Sequence, residues 1–255
     1  MRLYRKLGCL ISVLALMAGC SSGPYVSHSP APASERAAAP SSASSEKLGT
    51  QWGEGVASEV TTVDLKRVSK QPVDLVEVRY SSVNNPGRAV QEVLLAKGRI
   101  GLSIIGDNNR KWKLTQNGRD LYLQGKKGER YQLSYRNNSQ NTYEIVATVD
   151  GLDVLRGSSG SISNRGYVLY PNSTLVIEGF RKSQHEVATF RFAAVEDSYA
   201  ANTKAGSPDN VGIIGTAVFE LFDPNAPKPS GHGSPRAFPA DQPAGDYAPP
   251  PNYRR

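Results

Sequence analysis

Apolar and polar residues alternate along short segments in the middle of this chain, between residues 50 and 223. Representative segments are VDLVEVRY (73–80), GRIGLSII (98–105) and VGIIGTAVFELF (211–222), with turns such as GKKG (125–128) between strands. A strand points successive side chains to opposite faces, so this period of two predicts half-buried strands. Many short strands divided by turn residues predict a mainly β domain with an antiparallel β-sandwich-like fold.

Two stretches inside this region favour helices instead of strands. PGRAVQEVLLAK (86–97) is rich in helix formers, and Gly98 follows where a helix commonly ends. EDSYAANTKAG (196–206) suits a further turn or two, with Asp197 as a candidate cap. We therefore expect one or two short helices beside the sheets.

The segments on either side of this domain have compositions that disfavour a packed core. Residues 21–48 hold nine serines, six alanines and four prolines, and residues 224–255 hold nine prolines. Such segments bury too little apolar surface to offset the entropy lost on ordering. The predicted organisation is a Ser/Ala/Pro-rich tether at 20–49, a β-rich domain at 50–223 and a disordered proline-rich tail at 224–255.

The N-terminus has the layout of an export signal. A positively charged start, RLYRK (2–6), precedes an apolar run, LISVLALM (10–17). The run is shorter than the roughly 20 residues that a membrane-spanning helix needs. These features predict a signal peptide over residues 1–19.

The end of this run, AGC (18–20), resembles the signal of bacterial lipoproteins, in which a small pair precedes an acylated cysteine. That resemblance implies that Cys20 becomes the lipidated first residue and anchors the protein in a membrane of the cell envelope. Ser21 follows the cysteine, which in enteric-type bacteria implies the outer membrane, with the domain facing the periplasm or the cell surface. An ordinary secretory signal that leaves Cys20 as a free thiol is the alternative.

Removal of residues 1–19 also changes the charge and the redox chemistry of the chain. The formal net charge falls from +7 to +4, because the removed segment carries three basic residues and no acidic ones. This modest excess argues against a nucleic-acid partner. Cys9 leaves with the signal and Cys20 is acylated, so we expect no disulfide.

The side chains that usually carry catalysis are scarce in the predicted domain. His185 is its single histidine, and the domain has no cysteine. Structural zinc sites draw on several such ligands, so we expect no metal site, no cofactor and no catalytic residue. GSSGS (157–161) looks like a nucleophile elbow but lacks the strand–helix context, and we interpret it as a loop. The pairs Asp150/Asp153 and Glu196/Asp197 leave a carboxylate-based hydrolase as one alternative, although Asp150-Gly151 after a strand is more often a turn.

A segment over residues 150–220 is similar to exported proteins of Gram-negative bacteria to which no function is assigned. The similar elements are VDGLDVL, RGYVL, IEGFRKS, VATFRF, DSYA and NVGIIGTAVF. The resemblance implies an autonomous folding unit and brings no site residues with it.

Loops within the same segment carry more mixed charge than simple strand connections require. Binding residues are disproportionately found on such loops. The candidate partner-binding residues are Arg156, Arg165, Arg181, Lys182, Asp197 and Tyr199. We therefore expect a membrane-anchored, non-catalytic envelope lipoprotein that acts by binding or as a structural component. A carbohydrate- or peptidoglycan-binding module is a second alternative, and an envelope protein or a glycan is the expected partner.

Overall fold

The structure is a computed structural model that describes residues 47–224, the backbone of 236–237, and residues 247–253. All of these residues belong to one compact unit. The predicted signal peptide at 1–19, Cys20 and nearly all of the predicted tether lie outside the described residues. In the described part of the chain, no helix has the length and apolar character needed to cross a bilayer.

Strands account for about half of the described residues. In chain order they are β1 (Leu48–Ala57), β2 (Thr61–Thr62), β3 (Lys66–Arg67), β4 (Asp74–Ser81), β5 (Arg88–Val90), β6 (Val93–Leu95), β7 (Ile100–Ile105), β8 (Leu114–Asn117), β9 (Asp120–Gln124), β10 (Arg130–Asn137), β11 (Thr142–Val149), β12 (Leu152–Asp153), β13 (Tyr167–Leu169), β14 (Thr174–Ile177), β15 (Gly179–Arg181), β16 (Glu186–Ala194), β17 (Ile213–Phe222) and β18 (Arg236–Ala237).

These strands form two sheets that pack face to face. The smaller sheet has the order β1-β16-β10-β7-β6, with β14 paired to β10 and β15 paired to β16. The larger sheet has the order β2-β18-β13-β11-β17-β4-β9-β8-β5, with β12 paired to β11 and β3 paired to β17. Pairing is antiparallel except between β4 and β9 and between β2 and β18, which are parallel. The predicted mainly β, sandwich-like fold is confirmed.

The core between the sheets follows from the alternation in the sequence. On β4, Val78 and Tyr80 are buried, while Glu77 and Arg79, which alternate with them, are exposed. Strand β7, which lies between β10 and β6, is buried along its whole length, as expected for a strand covered on both sides. A hydroxyl pair at 2.8 Å, Tyr135 Oη with Thr216 Oγ1, joins the two sheets across this core.

The predicted helix over 86–97 is wrong. The segment forms β5 and β6 and ends in a tight turn, in which Ala96, Lys97 and Gly98 all have positive φ. The side chain of Asp74 accepts the N–H of Ala96 at 2.7 Å and so holds this turn. Pairing of β6 with β7 buries Leu95 in the core, and this tertiary gain overrides the local preference for a helix.

The second predicted helical stretch forms short 3-10 helices at Val195–Asp197 and Ala200–Asn202, and a third lies at Pro208–Asn210. The described residues contain no α-helix.

The folded unit extends beyond both predicted boundaries. Leu48, placed in the tether by its composition, is fully buried in β1. At the other end, β18 pairs with β13 and β2, and residues 247–253 lie against the domain with Ala248 buried. These parts of the proline-rich tail are therefore ordered components of the fold, because they meet partners from distant parts of the chain.

Candidate functional site

An open groove of about 650 Å³ lies on the outer face of the larger sheet, away from the core. Its floor is formed by β4, β17 and β11, and its rim by the loop that follows β12. The lining residues are Leu75, Val76, Glu77, Val146, Thr148, Gly151, Ser159, Gly160, Ser161, Ile162, Ala205, Asn210, Ile213, Gly215, Thr216 and Ala217. The floor is mostly apolar, and hydroxyl and amide groups stand around it.

The groove exists because small residues occupy the outward positions of β17. Ile214 and Val218 point into the core, while Gly215 and Ala217 alternate with them and face outward. Glycine and alanine leave a trough between the longer side chains of the neighbouring strands. Leu75, the second residue of β4, stands at the edge of the groove and is 60% exposed.

Arg67 holds the rim of this groove in place. Its Nε donates to Oε2 of Glu144 at 2.6 Å, and a second nitrogen donates to Oε1 at 3.1 Å. The same guanidinium donates to the carbonyl oxygens of Ile162 and Asn164, at 2.8 and 2.5 Å. It also lies 3.6 Å from the centre of the Phe219 ring. A single cation thus connects the sheet to the loop that carries Ile162.

Asp153 holds the other end of the same loop. One carboxylate oxygen accepts the backbone N–H groups of Leu155 and Arg156, at 3.0 and 2.8 Å, and the other accepts from Asn164 at 3.3 Å. Burial raises the pKa of Asp153 to about 6 despite these hydrogen bonds. The loop over 154–164 is therefore fixed at both ends by buried polar groups.

A second buried carboxylate belongs to Asp150, which directly precedes Gly151 in the lining of the groove. Its Oδ1 accepts from Tyr80 Oη at 2.5 Å and from the N–H of Gly212 at 2.8 Å, and its Oδ2 accepts the N–H of Thr50 at 2.7 Å. The hydroxyl of Thr50 joins Tyr80 to Tyr131, with 2.7 Å to each phenol oxygen. Burial raises the pKa of Asp150 to about 6 and the pKa of both tyrosines well above their ordinary value.

Asp150 also forms the turn that the sequence indicated. Asp150 and Gly151 both have positive φ and connect β11 to β12, the geometry of a two-residue hairpin turn. Gly212, also at positive φ, makes a close backbone approach to β4, because its carbonyl accepts the N–H of Tyr80 at 2.8 Å. Turn chemistry and the buried network thus use the same residues.

Two of the predicted partner-binding residues are buried. Arg181 is 2% exposed, and its guanidinium donates to Tyr167 Oη at 3.1 Å, to Ser58 Oγ at 3.2 Å and to the Ser58 carbonyl. Tyr199 is fully buried, and its hydroxyl donates to the Pro249 carbonyl at 2.7 Å. In this structure both side chains are covered by other parts of the domain, so they do not lie on an exposed surface.

The other four predicted residues lie nearer the surface. Lys182 pairs with Glu186 at 2.6 Å, and Asp197 pairs with Lys127 at 3.5 Å. Arg156 and Arg165 are half-buried in the loop before β13. The six residues do not assemble into one exposed surface, since Arg181 and Tyr199 are inside the domain. The groove was not predicted from the sequence. The one sequence feature that could have indicated it is the pair of small residues Gly215 and Ala217 at outward positions of β17.

The residues considered for catalysis are not gathered in the groove. His185 is 71% exposed in a loop, where its Nδ1 lies 2.7 Å from Oε2 of Glu59. Glu77 is the one carboxylate among the described lining residues. Within the described ranges, no cluster of His, Cys, Asp and Glu has the arrangement needed to hold a metal ion.

No family model, curated protein or solved structure matches this chain.

Proposed function

We propose that this chain is a lipid-anchored, non-catalytic envelope protein that acts by binding, and that the outer groove holds its ligand. The observation that carries this proposal is the apolar floor of the groove on an otherwise regular sheet, with Leu75 60% and Ile162 41% exposed. A concave, mostly apolar lining with a few polar groups is the usual form of a ligand site.

The character of the lining supports binding in preference to hydrolysis. Acid–base catalysis on a glycoside needs two carboxyl groups facing one substrate. The described lining offers Glu77 alone, and Asp150 and Asp153 are sequestered by hydrogen bonds within the domain. The hydrolase alternative therefore has little support.

The lining also favours an apolar ligand over a glycan. Aromatic rings provide the largest flat apolar faces available to a protein, and none of the described lining residues is aromatic. The floor presents Val, Ile, Leu and Ala side chains from β4, β11 and β17, and serines stand at its rim. Such a lining suits an acyl chain or an apolar peptide segment. The carbohydrate-binding module remains the second candidate, supported only by the hydroxyl and amide groups at the rim.

Site-specific photo-crosslinking in cells tests the proposal with a matched pair of positions. Leu75 lies in the groove and is 60% exposed, whereas Leu94 is 63% exposed on the smaller sheet. A photoreactive residue at position 75 is expected to form a discrete adduct that the same residue at 94 does not form. The change Gly215→Leu, which fills the floor, should abolish the adduct. Equal labelling at both positions, or labelling unaffected by Gly215→Leu, would contradict the proposal.

The lipid anchor is supported by the AGC signal at 18–20 and is tested separately. Cys20→Ala is expected to block labelling by a fatty-acid probe and to leave an uncleaved precursor. If this variant is processed normally and still fractionates with membranes, Cys20 is not a lipid anchor. That outcome would leave the proposal for the groove unaffected.

A further inference from the structure

Residues 247–253, hereafter the C-terminal strap, lie across a cleft beside β15 and the 3-10 helix Ala200–Asn202. The strap reads YAPPPNY. Its main chain makes three spaced hydrogen bonds to the domain. The N–H of Ala248 donates to the Arg181 carbonyl at 2.8 Å, Tyr199 Oη donates to the Pro249 carbonyl at 2.7 Å, and the N–H of Asn252 donates to the Asn202 carbonyl at 2.8 Å.

Between these bonds the strap consists of prolines, which have no N–H to satisfy. Pro249 and Pro250 are exposed, so the strap is held by its backbone, by the buried side chain of Ala248 and by Tyr247, which packs against the core. Three consecutive prolines favour an extended polyproline conformation before binding, which reduces the entropy lost on docking. This is how proline-rich ligands are bound by domains that recognise them.

Aromatic side chains pack around Tyr199, the residue that donates to the strap. Trp52 and Phe180 flank Tyr199, with ring centres 5.0 and 4.6 Å from the tyrosine ring. The Tyr199 hydroxyl donates to the Pro249 carbonyl, so this aromatic cluster also supplies a hydrogen-bond donor to the strap.

Gly157 makes the pocket for Ala248. It has φ of +65°, and a Cβ on it would lie 2.8 and 2.9 Å from the Cα and Cβ of Ala248. The pocket therefore accepts a methyl group from the strap and excludes larger side chains on either side.

We infer that this cleft is a recognition site for an extended Ala-Pro-Pro-Pro segment, and that its ligand is the C-terminal strap of this chain, bound in cis here and exchangeable with that of a second copy. Each copy carries one cleft and one matching strap, so reciprocal exchange fills both clefts and closes a symmetric dimer. The strap follows β18 after nine intervening residues, which can extend over about 30 Å. Binding in cis competes at a high effective concentration, so exchange is expected to be minor in the wild-type chain.

The first experiment separates the strap from the domain. A chain ending at Ala237 should remain folded by circular dichroism and bind a synthetic peptide of residues 244–255 in calorimetry. The full-length chain should bind this peptide at least tenfold more weakly. Tyr199→Phe in the shortened chain should weaken binding about tenfold, whereas Tyr122→Phe on β9 should not. A peptide carrying Ala248→Leu should not bind.

The second experiment tests exchange between two full-length copies. Ala248→Leu gives a chain with an empty cleft, and Gly157→Ala gives a chain with a blocked cleft and a free strap. Each should be monomeric alone in analytical ultracentrifugation, and their mixture should form a one-to-one complex.

The inference is overturned if the folded shortened chain does not bind the peptide, or if the mixed chains do not associate. It is also overturned if both the shortened chain and Ala248→Leu unfold, because the strap would then be an obligatory part of the fold. These outcomes do not involve the outer groove and leave the proposed function unaffected.

Discussion

The ion pair between Arg67 and Glu144 illustrates how single residues control this domain. The side chain of Glu144 is fully buried and that of Arg67 is 13% exposed. A buried carboxylate is tolerated only while its partner and its hydrogen bonds are present. Glu144 also accepts the N–H of Gly166 at 2.8 Å, so the pair secures the loop at the groove rim as well as the sheet.

We expect Arg67→Ala to lower the free energy of unfolding by about 3–5 kcal/mol, because it leaves Glu144 buried and uncompensated. The matched control is Arg79→Ala, which breaks the ion pair to Asp120, where both side chains are about half exposed. That change should cost less than about 1 kcal/mol. Urea unfolding of both variants measures the difference, and equal losses would contradict the assigned role of Glu144.

Asp150 makes stability depend on pH. Burial raises its pKa from 3.8 to about 6, so the folded state keeps this proton to a higher pH than the unfolded chain. Its contribution to stability is present below about pH 4 and is lost as the pH rises through 6, by an amount on the order of 3 kcal/mol. Asp153, whose pKa is also raised to about 6, acts in the same direction.

Asp150→Asn should therefore flatten the dependence of unfolding free energy on pH between 4.5 and 7. The variant is also expected to be less stable at pH 5, because in either orientation its amide N–H₂ would face a backbone N–H, that of Gly212 or that of Thr50. Asp120→Asn, an exposed carboxylate, should retain the wild-type profile. A slope unchanged by Asp150→Asn would show that this group does not titrate in that range.

Close strand contacts operate at the scale of whole elements. Strand β15 is short and lies against β16, and its first residue is Gly179, where any Cβ would overlap the carbonyl oxygen of Ala188. Phe180 and Arg181 follow on the same strand. The ring of Phe180 packs on Tyr199, and the guanidinium of Arg181 donates to Tyr167. The glycine thus permits the approach that places both side chains.

Gly179→Ala is expected to destabilise the fold by at least about 3 kcal/mol, because backbone on a paired strand cannot move aside easily. Gly118→Ala is the control, since Gly118 has φ of +61° but open space around it. It should cost about 1 kcal/mol from backbone strain alone. Thermal unfolding of the two variants distinguishes steric overlap from conformational strain.

At the scale of the whole molecule, the first described strand closes the smaller sheet. β1 pairs with β16, buries Leu48 and brings Thr50 to the network around Asp150. Trp52 from the same strand stacks on Phe180 with ring centres 6.2 Å apart. Residues close to the predicted tether therefore complete both the core and the strap cleft.

A chain beginning at Ser58 is expected to lose cooperative unfolding, whereas one beginning at Lys47 should melt as the full-length protein does. The reason is that removal of β1 exposes β16 and leaves Asp150 without the N–H of Thr50. Differential scanning calorimetry of the two chains provides the measurement. A cooperative transition in the chain beginning at Ser58 would show that β1 is dispensable.

Local pattern predicted those features whose cause is local. The alternation in VDLVEVRY predicted that Val78 and Tyr80 share a buried face, and Asp150-Gly151 predicted a turn. The same reasoning failed at 86–97, where helix-forming residues form the strands β5 and β6, which pair with β8 and β7. Propensity is worth a few tenths of a kcal/mol per residue, and burial of Leu95 outweighs it.

The sequence by itself determined the class of fold, because a period of two admits strands with one face in a core and little else. Only the tertiary structure decided which polar residues are buried. The sequence indicated that Arg181 and Tyr199 belong to loops of a recognition surface. Both are buried instead, because they hydrogen-bond to Ser58 and Pro249, which are distant in the sequence. Small residues on β17 became a groove only when β4 and β11 stood on either side. Such sites depend on long-range pairing, which single-chain periodicity does not encode.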